Sequence, residues 1–204
     1  MVDRRQHWET VYRSKAAGDV SWFQPHAASS LRLIEGCTDR DAHIIDVGGG
    51  ASVLVDGLAD AGYRNLSVLD LAESALAASR ARLGARAQSV LWITGDITRA
   101  ALPAARYDVW HDRAVFHFLT DPADRAHYVE QVLKSVKPGG HVIIAAFGPG
   151  GPLQCSGLDV MRYAPDALHA EFGAPFRLLR HETEIHHTPS GQEQEFVYCY
   201  CRRT

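Results

Sequence analysis

A chain of 204 residues with 46% hydrophobic and 22% charged side chains holds enough apolar material for one full core and too little length for a second independent domain. Its formal charge of −3 gives no broad basic surface, which argues against nucleic acid as a partner, and no apolar run approaches the roughly 18 residues of a membrane span. The polar, charged first residues do not read as a signal peptide, and Cys37, Cys155, Cys199 and Cys201 lack metal-ligand spacing, so reduced thiols and a soluble cytoplasmic location are expected.

Residues 1–40 precede the first core strand and read as a helical segment packed, lid-like, on a domain spanning 41–204. Trp8 and Tyr12 are four apart and share one helix face. Gly18-Asp19 breaks that helix, Trp22 and Phe23 follow, and Leu31, Leu33 and Ile34 mark a second helix starting near Ala27 or Ser29. The aromatic residues either fasten the segment to the core or close over a ligand. The second role suits a cationic ligand, because ring faces attract positive charge.

Strands are predicted at 43–47, 66–70, 90–94, 107–111 and 140–147, with helical patterns between them. Val53, Leu54, Leu58 and Ala61 form one apolar stripe closed by Gly62. The alanine-rich stretch 72–83 ends at Gly84, a suitable C-cap. Asp121-Pro122 reads as an N-cap with proline at the first helical position. Tyr128, Val129, Val132, Leu133 and Val136 give the buried face of that helix, Lys134 and Lys137 fall in its last turn, and Pro138-Gly139-Gly140 should stop it. Repeated strand–helix–strand units imply a Rossmann-like, doubly wound, mostly parallel sheet with helices on both faces. After a helix at 164–171, strands at 176–187 and 195–202 flank the turn Pro189-Ser190-Gly191 and form an antiparallel C-terminal hairpin.

Open α/β sheets bind ligands at the carboxyl ends of their strands. The first strand ends in Asp46 and the turn Gly48-Gly49-Gly50, where absent side chains let backbone approach a ligand. The second ends in Asp70-Leu71, whose carboxylate can accept from a ribose diol. Beyond the third lies Gly95-Asp96-Ile97, an acid for an exocyclic amine and an apolar side chain for a ring. The fourth ends in His111-Asp112-Arg113. A dinucleotide fingerprint wants glycine where Val53 stands and does not use acids placed like Asp46 and Asp96, which disfavours a dehydrogenase.

These residues resemble the class I S-adenosylmethionine-dependent methyltransferases over about residues 40–150. Asp46, Gly48 and Gly50 match the family's acid-x-Gly-x-Gly-x-Gly pattern, with Ser52 in place of the third glycine. Leu133 to Gly140 is similar to its Leu-Lys-Pro-Gly-Gly segment, and the terminal hairpin fits its reversed last strands. The resemblance implies S-adenosyl-L-methionine as methyl donor and S-adenosyl-L-homocysteine as product, a seven-stranded sheet, and no metal. By the same resemblance Asp70 would hold the ribose hydroxyls, Asp96 and Ile97 the adenine, and Asp112 and Arg113 the amino-acid end. Independently of the resemblance, a lid carrying Trp8, Tyr12, Trp22 and Phe23 would exclude water and shelter the sulfonium.

The acceptor is read less directly. Candidates for its side of the site are His111, His117 and Cys155 as catalytic residues, with Arg162, Tyr163 and His187 nearby; each has a plain structural alternative as a packed ring, a loop thiol or a surface charge. His186-His187 lacks a third metal ligand. The aromatic N-terminal arrangement and Asp112-Arg113-Ala114 are similar to features of elongation-factor lysine methyltransferases, which makes a protein substrate the alternative. Small size, near-neutral charge and no appended recognition domain favour a small-molecule acceptor and a monomer or weak homodimer. A non-catalytic adenosylmethionine-binding module is the remaining reading.

Overall fold

A computed structural model describes residues 3–15 and 17–204; residues 1, 2 and 16 of the N-terminal segment lie outside that description. The helices are α1 (Arg4–Ser14), α2 (Ala28–Glu35), α3 (Leu54–Asp60), α4 (Glu73–Leu83), α5 (Pro122–Ser135) and α6 (Pro165–Phe172). The main sheet contains β1 (His43–Val47), β2 (Asn65–Asp70), β3 (Val90–Thr94), β4 (Tyr107–Arg113), β5 (Val136–Phe147), β6 (Phe176–His187) and β7 (Glu193–Arg203).

The order across the sheet is β3-β2-β1-β4-β5-β7-β6. Strands β1 to β5 are parallel, whereas β7 runs antiparallel to β5 and pairs with β6 as a hairpin. The order reverses between β1 and β4, so the switch point opens at Val47 and Arg113. Alternation along β1 feeds two cores. Ile45 and Val47 join Trp110, Phe116, Tyr128 and Val132 on one face; Ile44 joins Leu33, Ile34, Leu54, Leu58 and Val68 on the other.

Local signals act as expected at several ends. Asp121 accepts from the Ala123 N–H at 2.8 Å with Pro122 opening α5, and Gly84 closes α4 at φ 59°. Two readings need correction. Helix α5 stops at Ser135 and β5 begins at Val136, so Lys137 does not lie in a last helical turn. Pro138 disfavours helical backbone at the residue before it, and Lys137 instead reaches both oxygens of Asp108 at 2.8 Å. The segment before the sheet is also not uniform. Helix α2 buries Ser30, Leu33 and Ile34 within the core, whereas α1 has no fully buried residue. Only α1 and the turn near Trp22 ride over the strand ends.

The Gly/Pro-rich loop after β5 carries a separate two-residue hairpin, Gln154–Cys155 against Leu158–Asp159. Ser156 and Gly157 both take positive φ, 50° and 76°, as a tight two-residue hairpin turn requires. Among the described residues no helix is long and apolar enough to cross a membrane.

Candidate active site

The glycine turn after β1 is built by close approach. Gly48 sits at φ 69°, donates to the Leu69 carbonyl at 2.7 Å, and would drive an added Cβ into Val115. A Cβ on Gly49 would strike a carboxylate oxygen of Asp46, and one on Gly50 would strike Asp70. The turn therefore lays backbone directly on two acids. Ser52, in the third glycine position, accepts from the Leu54 N–H at 3.1 Å at the start of α3.

Two adjoining cavities open at these strand ends. The first, about 800 Å³, is lined by Asp70, Leu71, Gly95, Asp96 and Ile97 from the ends of β2 and β3. Trp8, Tyr12, Phe118 and Cys155 also line it. The second, about 560 Å³, receives Asp46, Gly49 and His111. Gly48, Arg113, Tyr12 and Trp22 line both, which joins them into one continuous site.

The acids differ in their surroundings. Asp70 is 6% exposed, accepts from the Ala72 N–H at 2.8 Å, and is pushed by burial up to about 7. Asp96 accepts through Oδ1 from the N–H and hydroxyl of Thr98, at 2.9 and 2.8 Å. Asp46 is 3% exposed and pairs through Oδ1 with His111 Nδ1 at 2.7 Å, while its Oδ2 has no partner. A buried carboxylate oxygen without a donor is costly, and Asp46 lines the second cavity with this oxygen packed beside Gly49.

The cover comes from α1 and the turn after it. The Trp8 ring lies 5.1 Å from Phe118, 5.5 Å from Trp22 and 6.2 Å from Tyr12. Arg4 pairs with Asp124 at the start of α5 at 3.0 Å, and Glu9 accepts from the Glu73 N–H that opens α4 at 2.7 Å. Arg113 donates to the Trp22 carbonyl at 3.3 Å and to Glu184 at 3.1 Å, with its guanidinium 4.1 Å from the Phe196 ring centroid.

Several expected site residues sit elsewhere. Asp112 reaches neither cavity. It is fully buried and caps the turn after β4, accepting from the Val115 and Phe116 N–H groups at 2.9 and 3.1 Å and from the Tyr128 hydroxyl at 2.6 Å. Burial pushes its carboxyl up to about 6. Gly50 also lies behind the cavity, against Asp70 and Ala75. His117 is fully buried, accepts from the Phe147 N–H at 3.3 Å and packs 4.5 Å from the Phe118 and Phe147 rings. Burial drives its imidazole down to about 3, and it lines no cavity, so it cannot serve as a base at the site.

His111 lines the second cavity with both ring nitrogens engaged. Cys155 does face the first cavity, 4.0 Å from the Ser21 hydroxyl, with burial pushing its thiol up to about 11. Arg162 is spent on the Pro149 and Gly151 carbonyls, at 2.9 and 3.3 Å. Tyr163 is in the core, and His187 is exposed. His186 meets the Ser21 carbonyl at 2.7 Å. Among the described residues no three His, Cys, Asp or Glu side chains form a metal-binding group. Sequence reasoning missed Arg4, Phe118 and Glu184. Phe118 was hidden in an apolar run, and Glu184 reaches the site only through the hairpin's pairing.

Comparison with known proteins agrees with this geometry. A family model described as a methyltransferase domain matches residues 44–140. The ubiquinone/menaquinone biosynthesis C-methyltransferase of Roseobacter denitrificans is 28% identical over 140 residues, covering 67% of this chain and 50% of that protein. The chain thus spans about half the length of the curated relative it matches. A solved methyltransferase from Anabaena variabilis aligns with a TM-score of 0.78 at 12% identity, covering 100% of this chain and 96% of the other. The Burkholderia thailandensis 1,6-didemethyltoxoflavin-N1-methyltransferase, solved with its substrate and S-adenosylhomocysteine, aligns at 0.71 and 18% identity over 98% and 87% of the two chains. Those structural likenesses carry the fold, and the matched core carries the strand-end acids and the glycine turn. Residues 44–140 match the methyltransferase-domain model, and the whole chain has the fold of S-adenosylmethionine-dependent methyltransferases.

Proposed function

We infer that this protein transfers a methyl group from S-adenosylmethionine to a small-molecule acceptor by in-line displacement. The observation that carries the reading is the set of three acids at adjoining strand ends, with one oxygen of Asp46 buried and unpartnered. Asp46 meets the ammonium of the cofactor's amino-acid end in the second cavity. Asp70 accepts from the ribose hydroxyls, and Asp96 and Ile97 hold the adenine in the first. When bound, the cofactor supplies a methyl group already activated by sulfonium charge.

The protein's work is then positioning and exclusion of water. Tyr12 and Trp22 line both cavities, so their rings flank the junction where the positive sulfur belongs. Among the described residues lining the first cavity, none beyond the cofactor-holding acids offers a lone pair of ordinary basicity. Cys155 is pushed up to about 11, burial raises the Tyr12 phenol further, and Arg4 and Arg113 are cations. The acceptor therefore brings its own nucleophilic lone pair or loses its proton to solvent. Cover by α1 favours a small acceptor over a lysine on a protein surface, and the toxoflavin-precursor enzyme, also similar in fold, acts on a small molecule.

Calorimetry on the purified chain should show S-adenosylhomocysteine binding and no NAD binding. Asp70→Ala should weaken that binding about tenfold or more by removing hydrogen bonds to a charged acceptor. Binding of NAD alone would end the reading. With tritiated methyl donor, label is expected in the small-molecule fraction of a cell extract; label confined to protein would replace the acceptor class.

A further inference from the structure

One buried network stands behind Asp46 in that mechanism. Asp46 on β1 and His111 on β4 are register partners in neighbouring strands. His111 Nδ1 lies 2.7 Å from Asp46 Oδ1, and its Nε2 lies 2.8 Å from the hydroxyl of Ser30 on α2. Ser30 in turn lies 3.3 Å from the hydroxyl of Tyr198 on β7. All four residues are 3% exposed or less. We propose that His111 and Ser30 are positioning residues that aim Asp46 at the ammonium of the cofactor's amino-acid end.

The direction of the hydrogen bonds follows from what each group can do. An ionised carboxylate only accepts, so Nδ1 carries the proton. In the tautomer with Nδ1 protonated and Nε2 bare, Nε2 accepts from the Ser30 hydroxyl and the Ser30 oxygen accepts from Tyr198. The chain runs one way across four elements and ends on Oδ1, leaving Oδ2 without a partner beside Gly49, in a residue that lines the second cavity. Carboxylate, imidazole and hydroxyl stand in the order of a hydrolytic triad. Ser30 is no nucleophile here, since the residue is 1% exposed and its hydroxyl is held between His111 and Tyr198. The network stiffens an acid rather than activating an alcohol, and it ties that acid to α2. This inference rests on the assignment of the second cavity to the amino-acid end.

The test uses two ligands that share the adenosine part. S-adenosylhomocysteine carries the amino-acid end, and 5′-methylthioadenosine lacks it. His111→Leu should weaken S-adenosylhomocysteine about tenfold or more while 5′-methylthioadenosine stays within about twofold. His111→Asn, which restores a donor near Nδ1, should recover much of the loss. Ser30→Ala and Tyr198→Phe, each removing one hydroxyl, should give smaller losses with the same selectivity and serve if the leucine variant does not fold. On Asp46→Asn, His111→Leu should add little, as expected when one residue acts through another. Equal loss for both ligands, or no loss for either in a folded variant, overturns the inference. Failure of the wild-type chain to bind S-adenosylhomocysteine overturns the cofactor reading itself.

Discussion

Asp46 and Asp112 stand on neighbouring parallel strands, a single register step apart, and both are buried. Their surroundings are opposite in kind. Asp112 is satisfied on both oxygens by its own turn and by Tyr128, which also receives the Trp110 indole N–H at 2.9 Å. Asp46 has one oxygen satisfied and one buried without a partner, in a residue that lines the second cavity. Burial of an acid by itself therefore does not mark a binding site. The sequence places both acids at strand ends, and it is the count of their partners and the cavity beside one of them that separates the two.

The comparison is most strongly tested by removing each acid. Asp112→Ala should cost about 3 kcal/mol of stability in denaturant unfolding, because two N–H groups and a buried phenol lose their acceptor. Asp46→Asn should cost about 1 kcal/mol or less and weaken S-adenosylhomocysteine about tenfold or more. A reversed pattern would break the distinction. A middle-sized effect concerns Asp70, whose carboxyl burial raises to about 7. The unfolded chain releases that proton near pH 4 and the folded chain only near 7, so this group lowers stability as pH rises through that window. Ligand affinity should rise several-fold between pH 6 and 8 as the carboxylate forms, and Asp70→Asn should abolish the rise. Binding that is flat with pH in both proteins would remove Asp70 from the site.

The smallest effect is at His117. Its folded value of about 3 lies below the ordinary imidazole value, so its contribution is present above pH 6.5 and is lost as pH falls toward 3. His117→Phe should leave ligand affinity within about twofold and reduce acid lability between pH 6 and 4. A large loss of affinity would return that ring to the site.

The placement of acids at strand ends was legible because it depends on short-range grammar: a strand, an acid at its end, and a turn that only glycine allows. Asp46, Asp70 and Asp96 each follow one strand in sequence, and parallel pairing sets them side by side. The terminal hairpin was legible from its turn. Side-chain direction was not. His111 and Asp112 are adjacent in sequence, and strand alternation sends them to different faces, one to a cavity and one to the core. His117 was misread because an apolar run says that a ring is near the core without saying on which side of a cavity wall it lies. Lys137 was misread because helix periodicity continued past Ser135, where Pro138 decided the backbone. Arg4 and Glu184 required the third dimension, since they meet the site from α1 and β6.

Helix α1 lends the site four-ring contacts yet buries none of its own residues completely. Its tethers to the rest of the molecule, Arg4 to Asp124 and Glu9 to the start of α4, are surface interactions of small individual strength. Elements held this way open at low free energy while the sheet beneath stays folded. The measured affinity of any ligand under α1 is then the intrinsic affinity scaled by the fraction of time the helix is seated. Ionic strength, acting on the Arg4–Asp124 pair, should then shift ligand binding through a tether whose arginine itself lines the first cavity.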